Sequence, residues 1–225
     1  MLQEIKPISL SLRYGLGSVN CYLVKTGNDY VLVDTGGSNK RGDLEKEVVS
    51  MGCRPGALKL VILTHGDFDH TGNAAYLRGK FGITIAMHRD DSGMAEYGDM
   101  FCGRRRRNRL IRTIAPMLFG FGKSERFQPD FYVEDGYDLS GHGLDAKIIS
   151  IPGHSKGSIG ILTAGRDLFC GDLLINRDKP VLNSIIDDAV AANASIEKLK
   201  TLGVNTVYPG HGKPFPMGLF VGNPR

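Results

Sequence analysis

Long apolar runs are absent from this chain. No stretch comes near the ~20 consecutive apolar residues that a bilayer-spanning helix requires, so no membrane segment is expected. Cysteine is scarce: Cys21, Cys53, Cys102 and Cys170 are scattered without the paired spacing of a thiolate zinc site. The opening residues, Met1-Leu2-Gln3-Glu4-Ile5-Lys6, carry no leader-like apolar stretch. Together these features predict reduced thiols in a cytoplasmic protein and argue against a disulfide-framed secreted domain. Linkers, low-complexity tracts and readable repeats are also missing, which predicts one domain over residues 1–225. With 41% hydrophobic and 23% charged residues, the composition supplies a full core. Broad positive charge is lacking too. The net charge is +4, but Arg104, Arg105, Arg106, Arg107, Arg109 and Arg112 lie within nine residues, and without them the balance would be negative. Aromatics do not interleave with these arginines, so a nucleic-acid site is not expected.

Histidine is rare as well, at six residues, and its placement organises the chain. The apolar run Leu60-Val61-Ile62-Leu63, of strand length, empties into Thr64-His65-Gly66-Asp67-Phe68-Asp69-His70-Thr71-Gly72. Imidazole and carboxylate are the groups transition metals take from proteins, and four of them crowd this one loop. The pattern repeats. His154 follows the strand-like Ala146–Ile151 in Pro152-Gly153-His154, and His211 follows Val204–Tyr208 in Pro209-Gly210-His211. Asp172 follows Asp167–Cys170 in Gly171-Asp172. Ligands on loops at strand ends can converge at one sheet edge, where α/β folds place their sites.

This series resembles the metallo-β-lactamase superfamily of hydrolases. Val33-Asp34-Thr35-Gly36, His65-Gly66-Asp67-Phe68-Asp69-His70, Gly153-His154, Asp172 and Gly210-His211-Gly212 match its five motifs in order. The departure is Asp67, where the family usually has histidine. The resemblance implies a four-layer αββα sandwich and two divalent metal ions (zinc, iron or manganese). It assigns His65, Asp67 and His154 to the first ion and Asp69, His70 and His211 to the second, with Asp172 bridging both beside a bridging hydroxide. Asp69 and Asp172 are the residues expected to carry catalysis, and Asp34 would stand behind the ligands, its alternative role being a turn or capping residue. Two divalent ions, three carboxylates and a hydroxide cancel in charge, whereas histidine at 67 would leave one positive charge. The extra hard oxygen tilts the first position from zinc toward iron or manganese.

Elsewhere, strands are expected over Ile8–Arg13, Asn20–Lys25, Tyr30–Asp34 and Ile83–Met87, and short ones at Phe131–Val133 and Tyr137–Leu139. Helices are expected over Asp43–Met51, from Thr71 to near Gly82, and over Asn183–Leu202. A basic helical insertion at about 92–130 would wall or cover the substrate pocket, with a helix over Arg104–Leu118. Two readings of its arginines, Arg104 and Arg105 foremost, stand side by side: an anion-attracting rim, or a solvated basic face. Lys156 is either an anion contact or a surface lysine. His88 reads as structural, His142 as a loop residue without a ligand role, and Cys170 as a small buried residue.

The function expected is metal-dependent hydrolysis of a small ester, thioester, lactone or phosphoester, an anionic one if the arginines form an attracting rim. The alternatives are an iron-dependent oxidoreductase or oxygenase on the same fold, and a non-catalytic anion-binding module. Assembly into a homo-oligomer stays open.

Overall fold

The computed structural model describes residues 4–104 and 122–220. The first sheet has six strands: β1 (Ile5–Ser11), β2 (Ser18–Thr26), β3 (Asp29–Val33), β4 (Leu58–Ile62), β5 (Thr84–Met87) and β6 (Phe131–Tyr132), lying side by side in chain order. β1, β2 and β3 pair antiparallel, while β3 to β6 pair parallel. Strands β7 (Ala146–Ser150), β8 (Ile159–Thr163) and β9 (Asp167–Gly171) belong to a second sheet. A hairpin follows, β10 (Leu174–Asn176) with β11 (Pro180–Leu182). β12 (Thr206–Pro209) and β13 (Phe215–Pro216) complete the second sheet, in the order β13-β12-β9-β8-β7. Among the described residues five helices flank the sheets: α1 (Arg41–Ser50), α2 (Phe68–Thr71), α3 (Ala74–Phe81), α4 (Arg89–Tyr97) and α5 (Ala189–Thr201).

Strand alternation produces the layers. Because successive side chains point to opposite faces, a strand buried on both sides feeds two cores. Leu23, Leu32, Val61 and Leu63 pack with Leu44 and Val48 of α1 and with Leu77 and Phe81 of α3. Their neighbours Tyr22, Val24, Val31, Val33, Leu60 and Ile62 face the other way, against Ile148, Ile159, Ile161 and Phe169 of the second sheet. The outer face of that sheet, through Leu168, Cys170 and Val207, meets Ala192, Ile196 and Leu199 of α5. Helix, sheet, sheet and helix therefore stack in that order, the four-layer αββα sandwich.

Apart from shifts of one to three residues at the ends of other elements, such as β1 at Ile5–Ser11 where Ile8–Arg13 was expected, three elements differ from the sequence reading. The last helix starts at Ala189 rather than Asn183, because the Asp188 carboxylate accepts from the N–H groups of Val190 and Ala191 and caps it there. The helix expected from Thr71 is split into α2 and α3, as the Asn73 side chain between them donates to Thr35 O and Gly37 O. Near Tyr137–Leu139 there is only an isolated bridge from Asp138 to Lys147, followed by a turn at Ser140–His142. Of the helix expected over Arg104–Leu118, only Arg104 falls within the described residues. Among the described residues no helix is long and apolar enough to cross a membrane.

Candidate metal centre

Six loops meet at one edge of the sandwich, each following a strand. β3 delivers Asp34, β4 delivers His65 to His70, and β5 delivers His88 and α4. β7 leads to His154, β9 to Asp172 and β12 to His211. Glycine is required at several positions of this edge, two of them beside the ligand-type residues His154 and His211. Gly153 has φ +144°, and a Cβ there would strike the Ala192 backbone of α5. A Cβ on Gly210 would press into Asp172 Oδ1 and His70 Cε1. Asn20 and Tyr22 of β2 hold the last of these loops: Asn20 Nδ2 donates to Pro209 O and Gly212 O, and Tyr22 Oη to Pro209 O.

Two triads of ligand-type atoms gather here, His65, His154 and Asp172 in one and Asp69, His70 and His211 in the other. Asp172 adjoins both, with Oδ1 3.3 Å from His70 Nε2 and Oδ2 3.2 Å from His211 Nε2. Asp69 Oδ2 lies 3.5 Å from His211 Nε2 and 4.0 Å from His70 Nε2. Asp67 stands beside the first triad, its Oδ2 3.0 Å from His154 Nε2 and 3.6 Å from His65 Nε2. All seven side chains are buried.

Each imidazole is fixed by its other nitrogen. His70 Nδ1 lies 2.8 Å from Asp34 Oδ2, and His154 Nδ1 and His211 Nδ1 each lie 2.6 Å from a carbonyl, of Ile185 and Ser18. Carboxylates and carbonyls only accept, so these three Nδ1 atoms donate. Thr64 Oγ1 gives its hydrogen to Asp34 Oδ2 and accepts from His65 Nδ1 at 2.9 Å. Every Nε2 is thereby turned toward the carboxylates, where it can offer a lone pair to a metal once its proton is lost, the arrangement that orients histidines for an ion. The Nε2 atoms of His65 and His70 and Oδ1 of Asp172 are buried without a hydrogen-bond partner. The residues thus fit divalent ions: buried donors of borderline hardness with lone pairs converging.

Electrostatics point the same way. Burial disfavours charge on His70, yet Asp172, Asp34 and Asp69 hold its pKa well above the ordinary value. His154 and His211 are raised against their burial mainly by Asp67 and Asp172 respectively. Burial would raise Asp172, but His211 and His70 hold it well below the usual carboxylate range. Without ions, then, protons on these imidazoles offset the carboxylates. Burial pushes the Cys170 thiol up to about 12, which removes it as a neutral-pH thiolate ligand.

Several supporting residues escaped the sequence reading. Asp91 of α4, wholly buried, accepts from the Gly66 and Gly157 N–H groups and from Ser155 Oγ, tying the His65–His70 loop to the His154 loop. Asn183 Nδ2 reaches Asp172 Oδ2 at 3.4 Å. A polar residue at a strand end is the only signal Thr64 gave, and Asp91 gave none. Of the expected supporting residues, Asp34 sits behind His70, in the left-handed region at φ 58°. Arg104 is not on an open rim: its side chain is 4% exposed and lies between Asp67 and Asp187. Arg105 lies outside the described residues. Lys156 is exposed and faces Asp90 at 3.2 Å. His88 caps α4, and His142 stacks on Phe131, both apart from the ligand set.

Residues 14–211 match the family model of the metallo-beta-lactamase superfamily. The chain is 24% identical over 200 residues to a beta-lactamase-like protein 2 homolog of Caenorhabditis elegans, covering 88% of this chain and 57% of that protein. It is 27% identical over 161 residues to the hydroxyacylglutathione hydrolase GloC of Haemophilus influenzae, covering 69% of this chain and 66% of that protein. The chain thus spans less than two thirds of the length of either curated relative. Among solved structures, the di-iron-bound form of TTHA1623 superposes with a TM-score of 0.73 at 26% identity, over 95% of this chain and 96% of that one.

Proposed function

The chain belongs to the metallo-β-lactamase superfamily, and from that premise we propose that it is a hydrolase dependent on two divalent ions, acting on a small ester, thioester, lactone or phosphoester. The observation that carries this reading is Asp172: its two oxygens face histidines at 3.3 and 3.2 Å, and it also belongs to the His65–His154 triad. His65, Asp67 and His154 would hold one ion and Asp69, His70 and His211 the other, with Asp172 shared. When bound, such a pair supplies an activated water and a Lewis acid for the substrate oxygen. The chain's own part is to aim four Nε2 atoms through Asp34, Thr64, Ile185 O and Ser18 O, and to keep the carboxylates ionised inside a buried edge. Hydrolysis by the Haemophilus relative supports the reaction class. The di-iron neighbour and the added carboxylate of Asp67 support iron or manganese as the resident pair.

Purified protein would be assayed on chromogenic esters, thioesters, lactones and phosphodiesters with zinc, manganese and iron in turn. Metal-dependent turnover of one class is the expected result. Oxygen uptake without hydrolysis would instead favour an iron redox enzyme, and ion binding with no turnover a binding module. Metal analysis after expression without supplementation should find iron or manganese, and zinc alone would contradict that assignment.

A further inference from the structure

Arg104 and Asp67 form a contact that ligand geometry alone does not require. Arg104 Nη2 lies 2.8 Å from Asp67 Oδ1, and its Nε lies 2.9 Å from Asp187 Oδ2. Both partners in the Asp67 contact are buried, with side chains 4% and 10% exposed. Asp67 therefore has two faces. Oδ2 turns to His154 and His65, and Oδ1 to a guanidinium. Arginine stays protonated in proteins, so the charge opposite Oδ1 is permanent.

We propose that Arg104 is the charge compensator of this ligand: with Asp67 it presents the first metal position with an oxygen donor whose charge is cancelled, so that the pair acts there as a neutral ligand. The inference rests on the metal-centre reading above. It makes Arg104 a positioning residue that tunes how tightly an ion is held, and it gives the first arginine of the basic run a buried role distinct from substrate attraction. Because unit charges a few ångströms apart inside a protein interact strongly, the net charge of the pair should order metal affinity.

The test is a four-protein series with one readout, the overall zinc affinity of the two positions by competition with a chromophoric chelator at fixed ionic strength, the second position being unchanged in sequence throughout. Arg104→Met leaves Asp67 uncancelled and should bind zinc at least about tenfold tighter than wild type. Asp67→His keeps a neutral donor but leaves Arg104 facing the ion, and should bind at least about tenfold weaker. The double variant restores neutrality and should return to within about threefold of wild type. Asp187 is constant through the series and shifts all four proteins alike. If Arg104 only held Asp67 in place, Arg104→Met would bind more weakly than wild type, which overturns the proposal. A double variant no better than Asp67→His overturns it as well. Should Asp67→His fail to fold by far-ultraviolet circular dichroism, the sign of the Arg104→Met change decides alone. A folded wild type that takes up no zinc, manganese or iron would remove the metal-centre reading itself, a result distinct from wild-type binding with the wrong order among variants.

Discussion

The space between the two sheets and the edge where the loops converge are equally closed to water, but their chemistry is opposite. Ile62, Ile161 and Phe169 in the first and His65, His70 and His154 in the second are each at most 1% exposed. In the inter-sheet core, burial is the driving force, about 25 cal/mol for each Å² of apolar surface. At the edge, the same burial works against folding, because imidazoles and carboxylates leave water for partners that only partly replace it. A fold does not gather Asp34, Asp67, Asp69, Asp91 and Asp172 behind closed walls for its own stability. One region holds the molecule together, and the other is held by it. Substitutions should therefore separate the two: core changes should lower stability and spare turnover, and edge changes should do the reverse.

The largest expected effect is at the edge. Asp172→Ala or His154→Ala should lower turnover by roughly a thousandfold or more, as the shared ligand or an Nε2 donor is lost. Far-ultraviolet circular dichroism should be unchanged. Activity near wild type in either variant would contradict the ligand assignment. The counterpart lies in the core. Ile161 is wholly buried on β8, a strand that carries no ligand. Ile161→Ala should cost about 2–5 kcal/mol in urea unfolding, with turnover per folded molecule within about twofold. A core variant that loses turnover while keeping its stability would erase the contrast.

The same contrast explains what could be read in the sequence. His65 to His70, His154, Asp172 and His211 were legible because strand-length apolar runs end in glycine-flanked ligands, and that local grammar fixes which edge they share. The layers were legible only through the family resemblance. Leu60 to Leu63 reads as an unbroken apolar run, and nothing local says that Leu60 and Ile62 face one core while Val61 and Leu63 face the other. Asp91 and Arg104 were illegible as to role, because their contacts with the ligand loops join residues 25 to 66 and 37 positions apart, respectively. The start of α5 was misread because Ile186 stands four positions before Val190, the spacing of a helical stripe, whereas Val190 is 81% exposed in the structure. The work of residues 183–188 is instead in the loop, where Asn183 meets Asp172 and Ile185 O meets His154.

A smaller effect should come from behind the ligands. Asp34 accepts from Thr64 N–H, Thr64 Oγ and His70 Nδ1 at 2.8 Å each. Asparagine tolerates the left-handed backbone that Asp34 adopts at φ 58°, so Asp34→Asn should fold. It loses a charged acceptor for His70, and should weaken metal affinity or turnover about 10–100-fold. A loss as deep as that of Asp172→Ala would mean that Asp34 is itself a ligand.

The least change in magnitude, and the sharpest in sign, is expected from pH. In metal-free protein the raised pKa values of His70, His154 and His211 stabilise the fold fully below the unfolded histidine value of about 6.5, and this stability is lost as pH rises through the folded values. The depressed values of Asp67 and Asp172 contribute above the unfolded carboxylate value of about 3.9 and are lost as pH falls. With a chelator present, the melting temperature should therefore peak between about pH 4 and 6.5 and decline on the alkaline side. Divalent ions held by the proposed centre should reverse that slope, because a metal takes the deprotonated imidazole and competes with the protons that metal-free protein needs. Melting curves at pH 5, 6, 7 and 8, with chelator and with manganese, should thus run in opposite directions. The core is blind to both proton and ion, so any divergence between the two series reports on the edge alone. Parallel series would mean that these histidines do not bind the ion.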